Sequence, residues 1–321
     1  MASCSLDENE DELWNDPEWI EEVIRKTKKR ERDYDHHIEI NEKRQKKTPQ
    51  ITSYFPLLTQ PNIESVSKVY VSRFTPGQPA PPVPNKGKNI VIHVSPKYLG
   101  GSLSPYNLKD ENGNLLENIW QFAKVYYIVE QQKTSISRFH PETIIWEHPL
   151  ETHVDYVTKK LTEKYWQWRK KGTANPYAVR YPNGFFGRTK CLYSLWPASK
   201  TTLGEETDIT DADGVVYRKL DYIQARKAIY CGEYARLISN NACFKKIKEM
   251  MKKGQTIQIV EVDGPKVEWY KKSPISSAIN GQSLAISKSV IEHLINDETH
   301  PFGHGYTIAA LLLGGASWMT T

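Results

Sequence analysis

The spacing of apolar residues changes period several times along the chain, and each change predicts an element. After an Asn112-Gly113 turn signal, Leu116, Ile119, Trp120, Ala123 and Tyr127 recur at helical spacing from Leu115 onward. Asn89 to Val94 reads NIVIHV and predicts a strand. From Glu151 to Lys171 a long helix is predicted, because Val154, Val157, Leu161, Tyr165 and Trp168 share one face and Gly172 can end it. Asn175 to Trp196 is dense in aromatics and turn residues and reads as a loop, and Asp208 to Asp213 as an exposed acidic turn. Two helices follow between Leu220 and Lys253, closed by Gly254. A strand over Thr256 to Val262, a helix over Ser283 to Ile295 and an apolar helix ending near Leu313 complete the series. This balance predicts an α+β domain, mainly helical, spanning residues 89–321.

The pattern before residue 89 is different. In LWNDPEWIEEVI, Asp16 can cap a short amphipathic helix that carries Trp19, Ile20, Val23 and Ile24. Docking into a partner's groove and folding back on the main domain both suit it. Charge then dominates from Arg25 to Lys47, with basic clusters at 28–30 and 43–47. Such runs are usually solvated and disordered, and paired basic clusters also read as a nuclear-import signal or a loose nucleic-acid clamp. Thr75 to Lys88, TPGQPAPPVPNKGK, has the composition of a linker. The domain boundary is therefore expected near Lys88, and a chain begun at Asn89 is expected to keep its melting temperature.

Composition adds limits. The chain has 321 residues, 39% hydrophobic, 25% charged and 11% aromatic, which is ordinary for a globular protein of one or two domains. A net charge of +5 permits a phosphate-bearing partner without requiring one. Cys4, Cys191, Cys231 and Cys243 are too scattered for a zinc ribbon or a disulfide framework, so a reducing, intracellular setting is expected. The acidic N-terminus lacks the form of a signal peptide, the run Tyr306 to Leu313 is too short to span a bilayer, and no membrane contact is expected.

The candidate chemistry centres on residues 103–127. Glu117, Gln121 and Lys124 fall at i, i+4 and i+7, aligning an acid, an amide and an ammonium along one helix edge beside Trp120. That edge either lines a pocket or is a solvated face with a weak ion pair. Arg180, Asn183 and Arg188 in the aromatic loop have the composition of a base-stacking, phosphate-pairing surface, and equally of a loop packed by its own side chains. Glu261 and Asp263 arrive at the end of the predicted strand, where carboxylates commonly sit at a site mouth. Gly303-His304-Gly305 opens the last helix, which offers either free N–H groups to an anion such as a diphosphate or a tight turn before a core helix. No metal is expected, because Pro301 and the glycines spoil helical spacing between His300 and His304, and no third ligand is near in sequence.

Two resemblances sharpen these readings. Ser104-Pro105-Tyr106, the Asn112-Gly113 turn, then Glu117, Gln121 and Lys124 resemble the signature of the NADAR (YbiA-like) family. Members of that family hydrolyse N-glycosidic bonds, either of early riboflavin-pathway intermediates or of ADP-ribose attached to guanine. The resemblance implies Glu117 as the catalytic carboxylate, with Asp263 and Glu261 as second choices. It implies a substrate surface drawn from Ser104, Tyr106, Trp120, Gln121, Lys124, Arg180, Arg188, Trp269, Gly303, His304 and Gly305, and no cofactor. Trp269 stands eight residues after Glu261, as in the family pattern, while Lys266 stands where that pattern has Asp. The second resemblance is to the peptide that docks on DNA sliding clamps: Ile51, Tyr54 and Phe55 have its spacing, although Thr48 stands where its leading Gln belongs. An apolar strand packed on the domain is the structural alternative for that segment.

Together these features imply a nuclear N-glycosidase whose partners are ADP-ribosylated guanine, as nucleic acid or nucleoside, and a sliding clamp. A non-catalytic adaptor that binds DNA or the clamp through its tail, and a glycosidase of riboflavin intermediates, are the rival readings. Replacing Tyr54 and Phe55 by Ala is expected to remove on the order of 3 kcal/mol of clamp affinity, since paired aromatic anchors dominate such interfaces. Calorimetry on the peptide checks this, and a wild-type peptide that does not bind ends the idea.

Overall fold

The structure is a computed structural model that describes residues 69–75, 78–84, 89–94, 101–133, 135–136, 143–184 and 190–315. The expected helix at 16–24, the basic clusters, Ile51, Tyr54, Phe55 and Arg188 lie outside the described residues. Residues Ile63–Thr321 cluster as one compact unit.

Two sheets organise that unit. The first holds β1 (Val69–Arg73), β2 (Asn89–His93), β7 (Thr256–Glu261), β8 (Ile279–Asn280) and β9 (Ser283–Ala285), in the order β8-β9-β1-β7-β2. Strand β7 runs parallel to both β1 and β2, pairing Val69 with Ile257, Arg73 with Glu261 and Thr256 with Asn89. The second sheet is antiparallel, in the order β5-β6-β4-β3, from β3 (Lys124–Val125), β4 (Tyr193–Pro197), β5 (Glu205–Thr210) and β6 (Val216–Leu220). Smaller pairings join Ile128–Val129 to Glu151–Thr152, and place Thr143–Ile145 between Ser135–Ile136 and Ala178–Val179. The helices are α1 (Leu116–Phe122), α2 (Glu163–Thr173), α3, α4 (Ala242–Lys252), α5 (Lys288–Ile295) and α6 (His304–Leu312). Helix α3 is continuous but changes winding, from α over Tyr222–Ala225 to π over Arg226–Glu233 and back to α over Tyr234–Ile238.

The domain is thus a mixed α/β fold, not the mainly helical one that the periodicity predicts. Four sheets among the described residues account for the difference. In 151–171, Val154 pairs with Leu161 across a tight hairpin, and helix α2 starts only after Thr162, whose side chain accepts the Tyr165 N–H. β-branched Val154, Val157 and Thr158 fit that hairpin better than a helix. Gly172 therefore lies inside α2. A Cβ there would fall about 2 Å from the Phe122 ring, so its absence lets α2 lie directly against α1. The region read as a loop contains Ala178–Val179 and β4; Glu205–Thr210 is a strand with its turn after it; and Ser283–Ala285 is a strand, with Ser287 capping α5.

The boundary expected at Lys88 is also corrected. Strand β1 precedes it, yet sits between β9 and β7 with its first four residues buried. All six residues of β7 are buried, as expected for a parallel strand covered on both faces. One buried polar thread crosses four strands: Asn89 donates to Gln258 at 2.9 Å, Gln258 donates to Ser72 at 2.9 Å, and Ser72 meets Ser283 at 2.7 Å. Gln258 also donates to the Pro81 carbonyl at 2.7 Å, which fastens part of the Pro-rich stretch to the sheet. Such a network opposes register slips, because any slip breaks the hydrogen bonds of the buried Gln258 amide. Opposite this sheet, Arg226 is buried and donates to the carbonyls of Leu294, Ile295, Asp297 and His300, closing the C-terminal end of α5. No helix among the described residues is long and apolar enough to cross a membrane.

A chain begun at Asn89 lacks β1 and is expected to be insoluble or to lose its cooperative transition. A chain begun at Ile63 is expected to melt within a few degrees of the full-length protein. Thermal unfolding of the two truncations checks this, and a stable domain from the shorter one would contradict it.

Candidate active site

Helix α1 begins without a side-chain cap, and the preceding turn satisfies its first amides instead. Leu116 N–H donates to the Leu108 carbonyl at 3.0 Å, and Glu117 N–H to that of Pro105 at 3.2 Å. Ser104 serves that turn: its hydroxyl accepts the Tyr106 N–H at 3.3 Å in a buried position. All seven residues of α1 are buried, so Glu117 and Gln121, only 7% and 5% exposed, do not form a solvated face. Gln121 donates to Glu117 Oε1 at 2.8 Å and accepts from Lys124 Nζ at 2.7 Å. Lys124 lies beyond the helix, at the start of β3, and its ammonium rests 4.6 Å from the centre of the Trp120 ring. Acid, amide and ammonium therefore form one hydrogen-bonded line. Burial raises the Glu117 pKa; the Gln121 hydrogen bond and the charges of Arg180 and Lys124 oppose that rise, and the charge of Asp263 adds to it.

Arg180 is delivered by the short strand Ala178–Val179, which α1 holds through Asn118. The fully buried Asn118 amide donates to the carbonyls of Asn175 and Tyr177 at 2.9 and 3.0 Å and accepts the Val179 N–H at 2.8 Å. Arg180 then donates to the Tyr181 hydroxyl at 3.2 Å, and its guanidinium lies 5.8 Å from the centre of the Tyr106 ring. Tyr181 adopts φ +53°, a left-handed conformation uncommon outside glycine and short polar residues. Burial raises the Tyr106 pKa, and the charges of Glu117 and Asp263 push it the same way while Arg180 opposes them. The strand-end Asp263 and helix-borne Glu117 are thus close enough to act on each other's surroundings.

Glu261 has a different place. Its carboxyl faces the first amides of α6, and a Cβ at Gly303 would lie 2.2 Å from its Oε2, one at Gly305 2.8 Å from its Oε1. The two glycines therefore make room for this side chain, and the anion position expected at Gly303-His304-Gly305 is filled from within the protein. Burial raises the Glu261 pKa to about 8; the Gly305 N–H opposes this, Asp263 adds to it, and Arg73 and the His304 N–H oppose it. Burial holds the His304 imidazole well below its ordinary value, at about 3, so it is neutral. Its Nδ1 lies 2.7 Å from the Tyr230 hydroxyl, and Tyr230, from the π segment of α3, meets Trp120 edge-on at 5.3 Å. π turns inside helices are frequent at functional sites.

Other candidates are placed elsewhere. Trp269 stacks on His300 at 4.5 Å, His300 Nδ1 pairs with Asp297 at 2.6 Å, and Lys266 Nζ sits 5.4 Å from the Trp269 ring. His300 and His304 thus serve separate partners, and no metal-holding cluster of His, Cys, Asp or Glu occurs among the described residues. Asn118, Tyr181 and Tyr230 join the site without having been singled out by sequence. For Asn118 the one available signal is its place beside Glu117; a π winding leaves no spacing pattern to read. No protein-family model, curated protein or solved structure matches this chain.

The buried titratable groups set a two-sided pH dependence of stability. Glu261 keeps a proton in the folded state up to about pH 8 while the unfolded chain releases it near 4.5, so stability falls as pH rises through that interval. His304 and His153, held at about 3 and about 4 by burial, stay neutral while the unfolded chain takes up protons below 6.5, so stability also falls on the acid side. Glu261→Gln is expected to flatten the decline of melting temperature between about pH 6 and 8.5 and to leave the acid limb in place. Melting curves across pH check this, and an unchanged alkaline limb would contradict it.

Proposed function

We propose that this domain is a hydrolase of ribosyl N-glycosidic bonds, with ADP-ribose attached to guanine as its substrate. The observation that carries the proposal is the buried Glu117 carboxyl, oriented by Gln121 and set in the fields of Arg180, Lys124 and Asp263. Breaking the bond between the anomeric carbon and a base nitrogen develops positive charge on the ribosyl ring. By analogy with glycoside hydrolysis, a held carboxylate stabilises that charge or draws a proton from the attacking water. The base nitrogen leaves with the bonding pair and takes up a proton, while water oxygen bonds to the anomeric carbon. Burial pushes this carboxyl above its usual range, as perturbed carboxyls at functional sites often are. Arg180 offers a planar donor set to a phosphate, and the rings of Tyr106 and Trp120 offer stacking faces to a base or ribose. Asp263 provides a carboxylate beside the site although Lys266 stands where the family pattern has Asp, which supports activity over a purely adaptor role. Clamp docking through Ile51, Tyr54 and Phe55 and nuclear import through the basic clusters complete the proposal, as the means of bringing the enzyme to modified nucleic acid.

Glu117→Gln keeps the shape and removes a buried ionisable group. The variant is expected to melt no lower than wild type, to bind ADP-ribose, and to lose hydrolysis of ADP-ribosyl guanosine by a factor of roughly 100 or more. Release of free ADP-ribose measures this. A variant as fast as wild type refutes the role of Glu117; a wild-type protein that binds ADP-ribose without releasing it from guanosine favours the adaptor.

A further inference from the structure

The hairpin that replaces the expected start of α2 carries an exposed aromatic ledge with no role in the site just described. Tyr156 and Val157 at its tip are 77% and 88% exposed, and Tyr127, 40% exposed, lies alongside with its ring 6.2 Å from that of Tyr156. Lys159 Nζ stands 4.1 Å from the Tyr156 ring centre and 5.6 Å from that of Tyr127. The tip is held in shape. Asp155 accepts from the Val157 N–H, the Thr158 N–H and the Thr158 hydroxyl at 3.1, 2.7 and 2.8 Å, and exchanges backbone bonds with Lys159 and Lys160. The Tyr127 carbonyl accepts the His153 N–H at 2.8 Å, which ties the hairpin to the strand segment beside it. Lys159 itself has φ +58°, where glycine is at ease and lysine is strained. A strained lysine that sets its charge above two exposed rings, where glycine would fold more easily, points to use rather than to stability.

We propose that this ledge binds single-stranded nucleic acid next to the reactive base. The inference rests on the function proposed above. Exposed tyrosine faces under an ammonium match what a single strand offers, namely unstacked bases and flanking phosphates; in a duplex the base faces are covered. Position agrees as well. Tyr127 follows Lys124, the end of the Glu117–Gln121–Lys124 line, by three residues, so their Cα atoms are at most about 10 Å apart. That distance is of the order of one or two nucleotides, so a strand stacked on Tyr127 and Tyr156 passes beside the Lys124 end of that line.

The test uses the full-length chain with a fluorescent oligothymidine that carries 4-thiothymidine and no ADP-ribose. The wild-type chain is expected to bind it in a salt-dependent manner and to photocross-link through peptides containing Tyr127 or Tyr156. Tyr127→Ala and Tyr156→Ala are each expected to weaken binding about tenfold. Lys159→Gly is the sharper variant: it is expected to weaken binding while melting no lower than wild type, because glycine relieves the left-handed position. Hydrolysis of the mononucleoside ADP-ribosyl guanosine is expected to be unchanged in all three. Cross-links confined to the basic segment 25–47, or equal affinity in the three variants, overturn the ledge while leaving the enzymatic reading intact. A ledge that cross-links in a chain inactive on the nucleoside overturns the enzymatic reading instead. Dimerisation abolished by Tyr156→Ala with oligonucleotide binding unchanged identifies the ledge as a self-contact and also refutes the proposal.

Discussion

The carboxyl of Glu261 against the first amides of α6 is the contact on which the site's arrangement depends. It joins the end of the central parallel strand to the start of the last helix, and its bulk excludes any side chain at Gly303 and Gly305. Once those glycines fix the helix start, His304 comes to lie under Tyr230, Tyr230 meets Trp120, and Trp120 lies beside Gln121 on α1. A line of contacts thus runs from the sheet to the candidate catalytic helix. Because this helix terminus is already occupied by Glu261, it holds no open anion position.

Helix α1 is held as firmly as its length requires. Seven residues are too few for a helix to persist alone in water, so its structure comes from packing. Leu116 belongs to the core around the parallel sheet, Phe122 to the aromatic core with Trp146, Tyr165 and Trp168, and Ile119, Trp120 and Ala123 to a third cluster against α3. The helix is the junction of all three cores. Its buried polar residues are therefore positioned by apolar packing on every side, the rigid support that a site of this kind needs.

Burying Glu117 and Glu261 costs stability, since each carboxyl loses hydration that its neighbours replace only in part. Both are accordingly pushed toward the protonated form. Their surroundings separate them, however. Glu261 is enclosed by backbone and glycines, whereas Glu117 accepts a hydrogen bond from Gln121 and lies in the fields of Arg180 and Lys124. Two carboxyls with similar burial thus differ in their surroundings.

The sequence by itself determined the elements whose signals are local. The NIVIHV strand, the Thr256–Glu261 strand, the helix after Asn112-Gly113 and the Glu117, Gln121 and Lys124 line were all legible, because periodicity and turn residues act over a few positions. Tertiary structure decided what depends on remote partners. Whether residues 154–161 coil or pair was settled by a hairpin that packs on Tyr127, and the buried place of β1 by strands some two hundred residues away in the chain. Gly172 looked like a helix stop because its close contact, Phe122, lies on another helix. Gly303 and Gly305 read as either an anion position or a tight turn because the carboxyl they accommodate lies on a distant strand. Local propensity says which conformations are cheap, and only the packed chain says which side chain occupies the space that a glycine leaves.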